Sequence, residues 1–228
     1  MIFDTNYLLL VFIPTLLLSL GAQFFVRSAY SKWGNVRNSA GATGVDVARA
    51  IFSRTNVQEI RLEGTPGQLT DHFDPGSNIV RLSQGIATTP SVAAMAVVAH
   101  ELGHVQQYQQ RSPLIAARQF LVPAVTFAPQ IGYLMIFAGL FLRMTGLIWA
   151  GIALFAVMVV FMILTLPVEI DASRRGMALL QQSGLMTSES DAGGARQVLT
   201  AAALTYVAAA ITSVLQLLYF VSLANRRR

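Results

Sequence analysis

The sequence predicts a mainly α membrane protein: four transmembrane helices, an H-E-x-x-H helix, and a small two- or three-stranded β-meander in the extramembrane region. Three observations carry that expectation. Only 12% of the 228 residues are charged and 54% are hydrophobic, whereas soluble domains run at about a quarter charged. The charges are parted by four long uncharged runs. Two of the three histidines, His100 and His104, stand four apart around Glu101 in the string VVAHELGHVQQ.

The first uncharged run, Tyr7 to Val26, lies between Asp4 and Arg27. Its leader, MIFDTNY, carries an acid where a secretory signal would be basic, and the run is too long, so a retained anchor is expected. Gln119 to Leu142, Met144 to Val168 and Gln197 to Asn225 are the other three. Each supplies the ~20 apolar residues that cross a bilayer as a helix. The spans are therefore placed at about 7–26, 120–142, 146–168 and 198–224. The whole chain, 1–228, reads as one membrane-embedded domain with extramembrane segments at 28–118 and 169–196.

Within 28–118, Thr43 or Gly44 starts a helix with an apolar face at Val47, Ala48, Ile51 and Phe52. Val57 to Leu62 alternates as a strand does, and Ile79 to Leu82 follows the turn Asp74-Pro-Gly-Ser-Asn78, which gives the meander. Thr89 and Pro90 read as the cap and first residue of the helix that carries the histidines to near Gln110. Pro167 is expected to break the third span from a helix over 168–184 that Gly184 stops, and 188–196 reads as a polar linker.

Arg27, Lys32, Arg37, Arg111, Arg118, Arg174 and Arg175 fall in the segments between spans one and two and after span three. The positive-inside rule puts those segments in the cytoplasm, although the terminal cluster Arg226, Arg227 and Arg228 votes the other way. Arg174 and Arg175 read as interface anchors. The net charge of +5 fits an anionic lipid surface, and scattered arginines without a basic stripe argue against nucleic acid. The absence of cysteine excludes disulfides and thiolate ligands.

On a helix, His100 and His104 project from one face and can meet one cation, with Glu101 rotated by about 100° from the first. That is the arrangement of a zinc-dependent hydrolase: two imidazoles bind, and a glutamate beside them serves as general base for water. A third protein ligand is needed. Glu169 is favoured, because the tight turn at Arg143 to Gly146 makes spans two and three a hairpin that returns Glu169 to the face of the histidines. His72 is the alternative. His72 and Tyr108 are candidates to stabilise an oxyanion, and the meander offers an edge on which an extended polypeptide could lie. Each of these features also has a plain structural reading.

The strings LTDHFDPGSNIVRLS, AVVAHELGHVQQ, LPVEIDASRRG and AALTYVAAA closely resemble, in order, the bacterial neutral zinc metallopeptidases of the YugP type. The resemblance implies a membrane-bound, gluzincin-like zinc endopeptidase. It implies His100, His104 and Glu169 as metal ligands and Glu101 as the base. More distantly, the chain resembles membrane peptidases of the HtpX kind, which carry a Glu-x-x-Ala-Asp segment. Here Glu169-Ile-Asp-Ala-Ser173 has serine in place of the last aspartate, so Asp171 and Ser173 are both candidates to orient a histidine. The rival expectations are a non-catalytic, zinc-stabilised membrane scaffold or chaperone, and a small transporter. Spans free of charge argue against the transporter.

Overall fold

The computed structural model describes residues 4–226. Met1 to Phe3 of the leader, and Arg227 and Arg228 of the terminal cluster, lie outside the described residues. The chain divides into two compact units.

The first unit comprises Met1–Gln23, Ala116–Pro167 and Leu204–Arg228. Helix α1 (Thr5–Tyr7), one π-helical turn (Leu8–Phe12) and α2 (Ile13–Gly34) run on as a single helix. With α6 (Pro113–Leu142), α7 (Thr145–Gln182) and α8 (Glu189–Asn225), the chain has four helices long and apolar enough to cross a membrane. All four outrun the expected spans because none stops where the charges begin. Arg143 turns the hairpin between α6 and α7 in the left-handed region (φ 57°). The hairpin closes tightly along glycines: a Cβ on Gly151 would stand 2.6 Å from the carbonyl oxygen of Gly132. Ile136, Ile148, Phe155 and Phe220 fill the core beside it. The two ends of the described chain meet, with Arg226 Nη1 3.1 Å from Asp4 Oδ2. An even number of crossings requires the ends to share a side, and this ion pair fits that.

Pro167 does not break α7. A proline removes one N–H and crowds the carbonyl four residues back, but helices packed among neighbours in an apolar setting absorb this. The helix expected over 168–184 is thus the continuation of α7, and Gly184 (φ 69°) does end it, with Leu185 N donating back to Leu180 O. Nor is 188–196 a linker. Ser188 Oγ accepts from Asp191 N, and α8 starts at Glu189.

The second unit comprises Phe24–Ile115 and Val168–Ala203. Helix α3 (Gly44–Arg54) is capped by Thr43 in a reciprocal box with Asp46, as the sequence suggested. Strands β1 (Arg61–Thr65), β2 (His72–Asp74) and β3 (Ile79–Ser83) then form one sheet. Its order is β1-β3-β2, with β1 parallel to β3 and β2 antiparallel to it. The expected meander is therefore corrected to a mixed sheet, and its first strand starts at Arg61 rather than Val57. The reason lies in the link 66–71. Gly67 (φ 97°) and Leu69 (φ 57°) turn it over the end of β3, where the Asp71 carboxylate accepts from Ser83 N at 2.7 Å. Six residues easily span two strand spacings of about 4.8 Å each.

Helix α4 (Gln84–Thr88) leads to α5 (Val92–Gln109). The cap of α5 is Ser91, whose Oγ accepts from Ala94 N, and not Thr89. Pro90 stays outside because its carbonyl accepts from Asn38 N. Val47, Ile51, Val80, Leu82, Met95, Leu102 and Leu179 pack into one core around α5. Burial of α5 on nearly every side explains its weak amphipathic signature: its packing surface is not a single stripe.

Candidate metal centre

His100 and His104 lie one turn apart on α5, and Glu169 lies on α7 just past Pro167. What brings the helices together is an approach too close for any side chain. A Cβ on Gly103 would stand 2.3 Å from the carbonyl oxygen of Ala172, and one on Gly176 would stand 2.6 Å from that of Ala99. Glycine on both helices lets the two backbones touch.

At this crossing Glu169 Oε2 sits 3.3 Å from His100 Nε2 and 3.4 Å from His104 Nε2. The residue is 2% exposed, and Oε2 has no hydrogen-bond partner. A buried carboxylate oxygen left unpaired is costly, and a cation facing it removes the cost. One ligand atom from each of the three residues lies within 4.8 Å of the others, so the group could hold a metal ion. The donor set of two imidazole nitrogens and one carboxylate oxygen suits zinc with a fourth position open.

The far nitrogens of both rings are occupied. His100 Nδ1 is 3.1 Å from Ser173 Oγ, and His104 Nδ1 is 3.0 Å from Gln107 Oε1. Against Gln107 the ring must donate, which leaves the Nε2 lone pair toward Glu169. Gln107 is fully buried, and its Nε2 donates to Val168 O and to Asp171 Oδ2. Arg175 holds Asp171 at 2.7 Å and donates to Gln106 and Gln110. Arg175, expected as an interface anchor, is instead the outer end of a chain that runs through Asp171 and Gln107 to His104. Burial works to lower the His104 imidazole. The facing Glu169 and the charge of Glu101 outweigh it and hold the group above its ordinary value. The cluster thus favours positive charge.

Glu101 is 8% exposed and does not join the cluster. Its Oε2 accepts from the backbone N–H of Phe73 on β2 at 2.9 Å. Phe73 in turn packs edge-on against Tyr108, with ring centroids 5.6 Å apart. His72 lies outside the three-residue group: it is exposed on β2, with Nδ1 at Thr70 O and Nε2 beside Arg81. Tyr108 is 38% exposed.

Of the two candidates to orient a histidine, Ser173 contacts His100 directly, while Asp171 acts through Gln107. Gln107, Gly103 and Gly176 went unnoticed in the sequence. A signal for Gln107 existed, since a residue three beyond His104 shares its helix face. Replacing Gln107 by Leu should weaken zinc binding by about 10- to 100-fold, read by chelator competition. Unchanged affinity would show that His104 needs no such partner.

A family described as "Putative neutral zinc metallopeptidase" matches residues 8–225. Among curated proteins, the chain is 39% identical over 209 residues to "Putative membrane protease YugP" of Bacillus subtilis (strain 168), covering 92% of each. No solved structure matches.

Proposed function

Because the chain belongs to this neutral zinc metallopeptidase family, we propose that it is a gluzincin-like, membrane-bound endopeptidase in which His100, His104 and Glu169 hold the zinc and Glu101 is the general base. The family implies a peptide substrate, and the four long apolar helices a membrane setting. The observation that carries the reading is the buried, unpartnered Oε2 of Glu169 facing two Nε2 atoms.

Zinc bound there would supply Lewis acidity toward a water and toward the scissile carbonyl. Glu101 takes the proton from the attacking water and gives it to the leaving amine. Its carboxylate, next to His100 in sequence and rotated from it around the helix, flanks the cluster without entering it. Gln107 and Ser173 keep the rings turned. Tyr108 and His72 are the side chains of this region that could donate to an oxyanion. By the positive-inside rule the site belongs on the cytoplasmic face of the cell membrane, and residues 1–228 act as one membrane-embedded peptidase.

The Glu101 bond to Phe73 N favours a second reading, a zinc-stabilised scaffold without catalysis, since it gives the glutamate a structural task. Metal analysis of detergent-purified protein beside cleavage of an unfolded protein separates the two. The wild type should carry about one zinc per chain and cleave. Glu169→Ala should lose the metal. Zinc without cleavage supports the scaffold, and zinc retained by Glu169→Ala rejects the ligand set.

A further inference from the structure

A groove of about 310 Å³ opens between α7 and α8, lined by Ile170, Ser173, Arg174, Met177, Arg196 and Leu199 among others. Its floor is apolar, and two guanidinium groups stand on it. Both arginines are exposed, and among the described residues neither makes an ion pair. The contrast with Arg175, which is tied to Asp171, Gln106 and Gln110, is direct. The groove also begins at the metal centre. Ile170 follows Glu169 in the chain, and Ser173 Oγ lies 3.1 Å from His100 Nδ1.

Resting on the peptidase reading above, we infer that this groove binds a carboxylate of the peptide substrate, on an acidic side chain or at the chain end, a few residues from the scissile bond. Arg174 lies five positions beyond Glu169 on α7, a rise of about 7.5 Å. An extended peptide advances about 3.3 Å per residue, so two or three residues reach from the metal centre to the arginines. Guanidinium is the side chain best suited to a carboxylate, since its planar fork bonds both oxygens. Ile170, Met177 and Leu199 give the neighbouring substrate residue an apolar surface. Continuity with the histidine cluster selects a peptide over a membrane lipid as the occupant.

The test uses the full-length protein in detergent and in vesicles, with paired peptides that differ only as Glu against Gln at successive positions around the cleaved bond. Each pair is made with a free and an amidated C-terminus. For the wild type, the acidic member should be preferred by about tenfold in KM at one position, the sum of two exposed pairs. In Arg174→Gln/Arg196→Gln that ratio should fall to about one, with zinc content matched. In Arg174→Glu/Arg196→Glu a Lys-bearing peptide should overtake the Glu peptide. Amidation that removes the preference assigns it to the chain end, and persistence through amidation assigns it to a side chain; either supports the groove. A ratio that survives both variants overturns the inference, as does a wild type that shows no preference. So does an effect that follows the anionic lipid of the vesicles and not the peptide. A wild type that cleaves no peptide at all rejects the peptidase reading itself.

Discussion

Glu101→Gln is expected to lower peptide hydrolysis by about a thousandfold, with zinc still bound. Glutamine has the same shape, and its amide oxygen can still accept from Phe73 N, where Glu101 Oε2 now sits at 2.9 Å. The link between α5 and β2 is therefore kept, and so are His100, His104 and Glu169, none of which touches the substituted atom through an observed bond. What is lost is a group able to take up and return a proton. Turnover on an unfolded protein, with zinc measured on the same sample, reads the result. Wild-type turnover would assign the base elsewhere. Zinc lost in step with activity would mean that Glu101 acts through the metal or the fold.

Adding one methyl group at Gly103 or Gly176 should be as damaging as removing a ligand. In an exposed helix, Gly to Ala stabilises by about 1 kcal/mol. At Gly103 the new Cβ would stand 2.3 Å from Ala172 O, and at Gly176 2.6 Å from Ala99 O. Both obstacles are backbone, so no side chain can swing aside. The helices must part, at a cost of about 1–3 kcal/mol or more. Parting α5 from α7 moves Glu169 off the two Nε2 atoms. Gly103→Ala and Gly176→Ala should therefore lower the melting temperature and lose zinc together. Gly193→Ala on α8, where a Cβ meets nothing within 4 Å, should be neutral or mildly stabilising. Equal behaviour at all three glycines would refute a backbone contact at the crossing.

Much of this site was legible before any coordinates. The i, i+4 spacing of His100 and His104 requires only a helix to place both rings on one face. The absence of other charges from 82 to 110 already implied a sheltered Glu101, and it is 8% exposed. The hairpin at Arg143 followed from a turn too short for anything else. Other features misled for identifiable reasons. Pro167 and Pro90 are strong punctuation locally, yet packing carried α7 through the first, and the Asn38 bond held the second outside α5. The segment 188–196 looks like a linker by composition, but Asp191, buried, accepts from Ser39 N and pins it as helix. Strand order depended on the Asp71 contact with Ser83, a pairing across twelve residues that no periodicity records.

The sequence by itself determined the four apolar helices, the motif and the candidate ligands, because hydropathy and helical spacing are properties of neighbours along the chain. Only the tertiary structure decided how the ligands meet and what turns the rings. Two glycines seventy-three positions apart admit the contact of two backbones, and Gln107 and Ser173 hold the far nitrogens. Such terms depend on distance in space, which contact between remote segments sets and local pattern does not.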